Sequence, residues 1–308
     1  MIDVKVENAI LLVDKPVGKT SFETIKAVKK LLKLNKLGHS GTLDKSASGL
    51  LVVCTGWTTK LTKYFLDSDK RYLAVVKLGV VTDTLDNEGK VIESKNISHL
   101  SNNLIFDIEK KFTGEMLQIP PSYSALKIKG RRASDIVRNG EEVALSPRKI
   151  IIRQLEVTDI DLDNGIVYLD ILCSKGTYIR SLARDIGEFL GTGGFLYGLR
   201  RISCGNFSVD NALTLDDIQD IAEGIDLEKK FCYNPTEALS DFGMIILNDK
   251  SVHKALNGAY FNRNELVTLK EVEDKPYLIL DENKNFIAIA DVDIRNWLIH
   301  YLNVFNKK

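Results

Sequence analysis

Ile150 to Cys173 reads IIIRQLEVTDIDLDNGIVYLDILC. Ile150 to Val157 and Ile166 to Cys173 are apolar, β-prone runs. Between them lies Asp163-Asn164-Gly165, a turn sequence, because Asn and Gly accept the positive φ that a tight hairpin demands. Strands joined this way are antiparallel. Just beyond, Tyr178 to Leu190 carries Ile179, Leu182, Ala183, Ile186 and Leu190 at the spacing of an amphipathic helix. Upstream, Ile10 to Val13 is a short strand running into Asp14-Lys15-Pro16. Thr20 stands three residues before Glu23, a capping-box spacing. Phe22, Ile25, Val28 and Leu32 then give that helix its apolar positions. Gly38 to Gly49 reads as a loop, Leu50 to Val53 as a strand, Thr58 to Leu66 as a short helix and Tyr72 to Leu78 as a strand. Thr82 to Gly89 is a polar turn region, and Asn103 to Phe112 a helix. Ile119-Pro120-Pro121-Ser122 is rigid, since each proline restricts itself and its predecessor. Downstream, Phe207 and Val209 sit in a strand-like run and Thr214 to Ala222 in a helix. Strands and helices interleave irregularly, with hairpins among them. The fold class is α+β, a mixed and largely antiparallel sheet with flanking helices, and not a doubly wound parallel sheet.

After about Leu239 the texture changes to short strand-like pieces: Met244 to Leu247, Leu266 to Leu269, Tyr277 to Leu280 and Phe286 to Ala290. They imply a small β-rich domain over 239–308 after a larger one over 1–238. A chain of 308 residues suits two domains.

The chain has 42 basic and 42 acidic residues, which excludes a uniformly basic nucleic-acid binder. The charge is uneven, however. Lys127 to Arg153 holds eight basic residues against three acidic ones, and Val209 to Lys250 ten acidic against three basic. Phosphate contacts need only a local positive field. The four cysteines, Cys54, Cys173, Cys204 and Cys232, form no CxxC pair, so reduced thiols in a cytoplasmic protein are expected. No signal peptide and no membrane-length apolar run is visible.

The densest segment is Gly38 to Gly49, GHSGTLDKSASG, with one histidine, one carboxylate and three glycines: Gly38, Gly41 and Gly49 let a backbone bend tightly and approach a ligand. A lone Asp such as Asp44 in a loop like this is more often a turn or cap residue than a catalyst. His39 has no second histidine beside it, so no metal site is expected.

A series of motifs in order adds what spacing alone does not. Leu12-Val13-Asp14-Lys15-Pro16 with Gly18, then Gly38 to Asp44, resemble the first motif and the catalytic motif of the bacterial tRNA pseudouridine-55 synthases, the TruB family. Lys70-Arg71-Tyr72 with Leu78-Gly79 and Thr82-Asp83-Thr84 resembles the next. Ile119-Pro120-Pro121 through Tyr123 to Lys127 and Gly130 resembles the third. Cys173 to Arg180 and Leu199-Arg200-Arg201 resemble the last two. The resemblance covers roughly residues 10 to 215. It departs after the aspartate, where the family has Pro-Leu-Ala-Thr-Gly and this chain has Lys45, Ser46, Ala47, Ser48 and Gly49.

The resemblance implies an isomerase that turns uridine 55 in the tRNA T-loop into pseudouridine by base flipping, with no cofactor and no metal. Asp44 would be the nucleophile, Arg180 its charge partner, and Tyr72 the catalytic ring that stacks on the base and moves a proton. Tyr178 and Leu199 would wall the pocket, and His39 would assist the flipped base. Lys15, with Pro16, matches a motif at the pocket edge that reads as structural. Lys127, Lys129, Arg131 and Arg132 would meet phosphates of the T-arm. The last domain resembles a PUA-like RNA-binding domain. The partner implied is tRNA alone, with the enzyme a monomer needing no other protein and no membrane. A guide-RNA-dependent synthase, an RNA chaperone and an unrelated hydrolase using Asp44 are the rival readings.

Overall fold

The computed structural model describes residues 6–128, 130–225 and 230–305. The elements that position the site are β1 (Ile10–Lys15), α1 (Ser21–Leu31), β2 (Leu37–His39), β3 (Ser48–Thr55) and β4 (Lys70–Leu78). They belong to a ten-stranded sheet. Its order in space is Cys232–Tyr233, β1, β3, Gly194–Cys204, β4, Ile166–Cys173, Arg148–Asp161 and Gly114–Gln118. β2 pairs with β3, and Phe207–Ser208 with the Gly194–Cys204 strand. The expected hairpin is present, with Ile152 opposite Cys173 and Asp161 opposite Ile166. Among the described strands of this sheet only Gly194–Cys204 and β3 pair in parallel, so the sheet is mixed and largely antiparallel.

β4 shows why the sheet forms. Lys70, Tyr72, Ala74, Val76 and Leu78 alternate onto the buried face, as the two-residue period of a strand requires. The Asn102–Phe112 and Ile179–Phe189 helices cover that face with Ile105, Ile108, Leu182 and Ile186. On the other side, α1 buries Val28 against Leu213 and Ile218. Its capping box is complete: Thr20 accepts from the Glu23 N–H, and Glu23 accepts from the Thr20 N–H. The apolar face of α1 is narrower than its sequence suggests. Phe22 is 74% exposed, and the small polar Ser21 and Thr24 take the buried positions of the first turn.

The long Gly194–Cys204 strand carries no alternating signature. Gly194, Gly198, Arg200 and Arg201 interrupt it, and its register against β4 shifts between Leu196 and Gly198 and again between Arg201 and Ser203. Its neighbours on both sides make it a strand.

A second sheet has the order Leu266–Lys270, Gly243–Leu247, Tyr277–Leu280, Phe286–Asp293, Leu298–Val304, and the Asp249–Leu256 helix packs on it. This is the small β-rich C-terminal unit, with one helix and a last strand beyond the expected pieces. One apolar cluster joins the two sheets: Ile10, Leu50 and Phe65 from the large sheet's side meet Leu278, Phe286 and Phe305 from the small one. Trp57 lies 5.5 Å from Phe286 and 4.8 Å from Phe305, ring centre to ring centre. Among the described residues no disulfide is formed, and no helix is long and apolar enough to cross a membrane.

Candidate active site

The turn from Ser40 to Ala47 connects β2 to β3 and is held at several points. The Ser40 N–H donates to the Val52 carbonyl at 3.0 Å, and the Gly18 N–H to the Lys45 carbonyl at 2.9 Å. Ser21, the first residue of α1, brackets Leu43: its hydroxyl donates to the Leu43 carbonyl at 3.1 Å and accepts from the Leu43 N–H at 2.9 Å. At the exit of the turn Gly49 has φ +103°, and a Cβ there would stand 2.2 Å from the Arg201 carbonyl oxygen. No side chain fits, and this approach draws β3 against the Gly194–Cys204 strand. Arg201 is 1% exposed and locks the same junction from below, with Nε on the Leu50 carbonyl at 2.7 Å and Nη2 on the Gly41 carbonyl at 3.2 Å.

This scaffold presents Asp44 to Arg180. Arg180 Nε lies 2.9 Å from Asp44 Oδ2, and Nη2 lies 3.3 Å from Oδ1, a two-point clamp. The Arg180 side chain is 8% exposed and that of Asp44 41%, so one side of the carboxylate faces the guanidinium and the other faces open space. Burial pushes the Asp44 carboxyl above its ordinary range, and Arg180 works against that rise. The remaining donors of Arg180 are also used, on the Thr84 carbonyl at 3.2 Å and the Tyr123 carbonyl at 3.0 Å.

A cleft of about 490 Å³ opens above the carboxylate, walled by Tyr72, Tyr178, Leu199, Tyr123 and Arg132. Tyr72 is 9% exposed, and burial pushes its phenol up to about 12, with Arg201 opposing. It therefore stays a neutral O–H. Burial also raises the Tyr178 phenol. Buried Gln118 fixes the Tyr178 backbone, accepting from its N–H at 2.9 Å and donating to its carbonyl at 3.1 Å. Tyrosine faces, a leucine wall and one carboxylate suit a planar ring laid beside a nucleophile.

Asp44, Arg180, Tyr72, Tyr178 and Leu199 thus converge, as does Arg132 at the edge. Two other expected residues lie behind the cleft. His39 ends β2, half buried, and its Nδ1 has no hydrogen-bond partner among the described residues; burial lowers its pKa. Lys15 is fully buried, and its Nζ donates to the Pro16 carbonyl at 2.9 Å and the Lys19 carbonyl at 2.6 Å, so it fastens the turn before α1. Burial pushes its ammonium down to about 8, with Asp44 opposing. Lys127 is exposed on a short hairpin. Arg131 spends its guanidinium on Glu141, at 2.6 and 3.1 Å. Lys129 lies outside the described residues.

Sequence reasoning missed Asp86. It is 4% exposed, lies 3.4 Å from Arg180 Nη1, and accepts from the Thr84 hydroxyl at 2.5 Å and the Glu88 N–H at 3.1 Å. It sits within the polar turn Thr82 to Gly89, where an Asp is an ordinary turn residue, and only folding places it beside Arg180. Lys70 was also missed as a fastener. Its buried Nζ caps the Phe65, Leu66 and Ser68 carbonyls at 3.1, 2.6 and 2.6 Å.

Comparison with known proteins gives consistent matches. A family model described as TruB family pseudouridylate synthase (N terminal domain) matches residues 29–179. A second, the tRNA pseudouridylate synthase B C-terminal domain, matches residues 180–238. The chain is 39% identical over 283 residues to a tRNA pseudouridine synthase B of Clostridium kluyveri, covering 92% of this chain and 95% of that one. It is 35% identical over 294 residues to a tRNA pseudouridine synthase B of Clostridioides difficile, covering 94% and 96%. Among solved structures, a chain of a Cbf5-Nop10-Gar1 complex is similar with a TM-score of 0.75 and 25% identity, over 99% of this chain and 86% of that one. A chain of an H/ACA RNP bound to a substrate RNA containing 2'-deoxyuridine shares the fold, with a TM-score of 0.75 and 23% identity over 100% and 88%.

Proposed function

The chain belongs to the TruB family of pseudouridylate synthases, and on that premise we propose that it converts uridine 55 in the T-loop of tRNA to pseudouridine with Asp44 as nucleophile. The observation that carries this reading is the two-point Arg180–Asp44 clamp at the floor of a cleft walled by two tyrosines.

A base in a folded RNA loop is reached only after it leaves the stack. Tyr72 and Tyr178 offer ring faces to the extruded uracil, and Leu199 limits its tilt. In the reaction the N1–C1′ bond breaks, the base turns, and a C5–C1′ bond forms. The C5 proton leaves and N1 gains one, so no group is transferred and no electron count changes. Asp44 forms the covalent intermediate that divides this into easier steps. Arg180 keeps the carboxylate charged and aimed, and water is excluded once the base fills the cleft. Tyr72, whose phenol burial pushes up to about 12, gives the base a stacking surface and a neutral O–H as hydrogen-bond and proton-transfer partner. Lys127, Lys129, Arg131 and Arg132 contribute phosphate contacts, with Arg132 nearest the cleft.

The proposal includes a cytoplasmic enzyme acting as a monomer, without guide RNA or protein partner. It also divides the chain into a catalytic domain over 1–238 and a PUA-like RNA-binding domain over 239–308. The test is to incubate the purified protein alone with unmodified tRNA and map pseudouridine at single-nucleotide resolution. The expected product is a single modified site at position 55, absent with Asp44→Asn, which should still bind tRNA. Modification at another position, or full activity in Asp44→Asn, would overturn the reading.

A further inference from the structure

We infer that the outward face of α1 is a second RNA-binding surface, which carries the phosphate backbone of the substrate away from the cleft. This rests on the proposed RNA substrate. The chain is neutral overall, yet Lys19 to Lys36 holds six lysines (Lys19, Lys26, Lys29, Lys30, Lys33 and Lys36) and one acid, Glu23. Lys19, Lys26, Lys29, Lys30 and Lys33 are all exposed, and none forms an ion pair with another described residue. Phe22, Lys26 and Lys29 follow the i, i+4, i+7 spacing of one helical stripe. Phe22, 74% exposed at its near end, is an aromatic ring with no packing role.

Two features tie this face to RNA. The first is continuity with the cleft. Ser21 grips Leu43 beside Asp44, and the Gly18 N–H bonds to Lys45, so the helix begins where the nucleophile's loop is fastened. Eleven residues of helix then run about 16 Å outward. The second is charge. Glu23 is occupied by the capping box and offset by Lys45 and Lys19. The flanking Leu215–Glu223 helix, which packs against α1, is acidic through Asp216, Asp217, Asp220 and Glu223, so it borders the positive stripe and repels phosphate on that side. An RNA strand is thereby confined to the lysine face. Phe22, nearest the cleft, provides a stacking surface for an unpaired base next to the extruded one.

The test uses the full chain with Lys26→Gln, Lys29→Gln, Lys30→Gln and Lys33→Gln combined, none of which touches the cleft. Binding to unmodified tRNA is measured over a salt series, beside the single-turnover rate at saturating enzyme and the melting temperature. The expected result is a log–log salt slope shallower by about 3 and affinity reduced at least roughly tenfold, with rate and melting temperature unchanged. Phe22→Ala should lose affinity without changing the slope. An unchanged slope in the quadruple variant overturns the inference. So does a lower melting temperature with unchanged binding, which would assign Lys29 and Lys30 to the helix dipole. Loss of binding to anionic phosphatidylserine vesicles, with tRNA binding intact, would assign the face to a membrane. A wild type that does not bind tRNA would overturn the substrate reading itself, and this inference with it.

Discussion

At Arg180 one buried guanidinium faces two carboxylates of different exposure. Asp86 is enclosed, whereas Asp44 opens to the cleft. Burial and the Asp86 charge both raise the Asp44 carboxyl, and Arg180 and Lys15 lower it; the net direction is upward. The sign for catalysis follows directly. On the proposed mechanism the nucleophile is ionised Asp44, so activity should be lost as pH falls through a value above the ordinary 3.8 of an Asp. Asp86→Asn removes one of the charges that raise Asp44 while keeping the shape of the side chain. Its acid limb should therefore move to lower pH than that of the wild type, even if the absolute rate drops. Single-turnover pH profiles of both proteins check this, and an unmoved or higher limb would show that Asp86 does not act through Asp44's charge. Arg180→Ala leaves the buried Asp86 uncompensated. It should cost about 3–5 kcal/mol of stability besides the catalytic rate, measured by denaturant unfolding.

Among the elements, α1 links a local sequence signal to the site. Its capping box fixes where the helix starts, and that start places Ser21 against Leu43. Ser21→Ala would leave the Leu43 N–H and carbonyl, in a residue only 3% exposed, without these partners. The expected stability loss is about 1–3 kcal/mol. The single-turnover rate should fall while tRNA affinity holds, because the loop that aims Asp44 loosens. Equal rates in wild type and variant would show that the loop's other contacts hold Asp44 in place without Ser21. The Gly194–Cys204 strand makes the opposite case. Nothing local marks it, yet it carries Leu199 to the cleft wall and Arg201 beneath the loop.

Over the whole molecule, the two sheets share a core. Phe286 is 8% exposed and packs between Trp57 of the large unit and Phe305 of its own, with ring centres 5.5 and 5.2 Å away. The chain should therefore unfold as one cooperative body despite having two sheets. Phe286→Ala should destabilise by about 3 kcal/mol and lower a single melting transition. Calorimetry showing a second transition, moved alone while the catalytic one stays in place, would show that the sheets unfold independently.

The sequence by itself determined the hairpin of Ile150 to Cys173, the capped α1, the alternation of β4 and the short strands after Leu239, because each is written in a local period or turn. It also offered Asp44, Arg180, Tyr72, Tyr178 and Leu199 as one set, through motif order and not through any local property of the five. Tertiary structure alone decided that Asp86 meets Arg180, that Gly49 must lack a side chain, that Lys15 and His39 stand behind the cleft, and that Phe22 faces outward. Contacts between residues scores of positions apart leave no period in the chain. A buried carboxylate or lysine differs from an exposed one only in what folding packs around it, and that is set by which strand lies beside which.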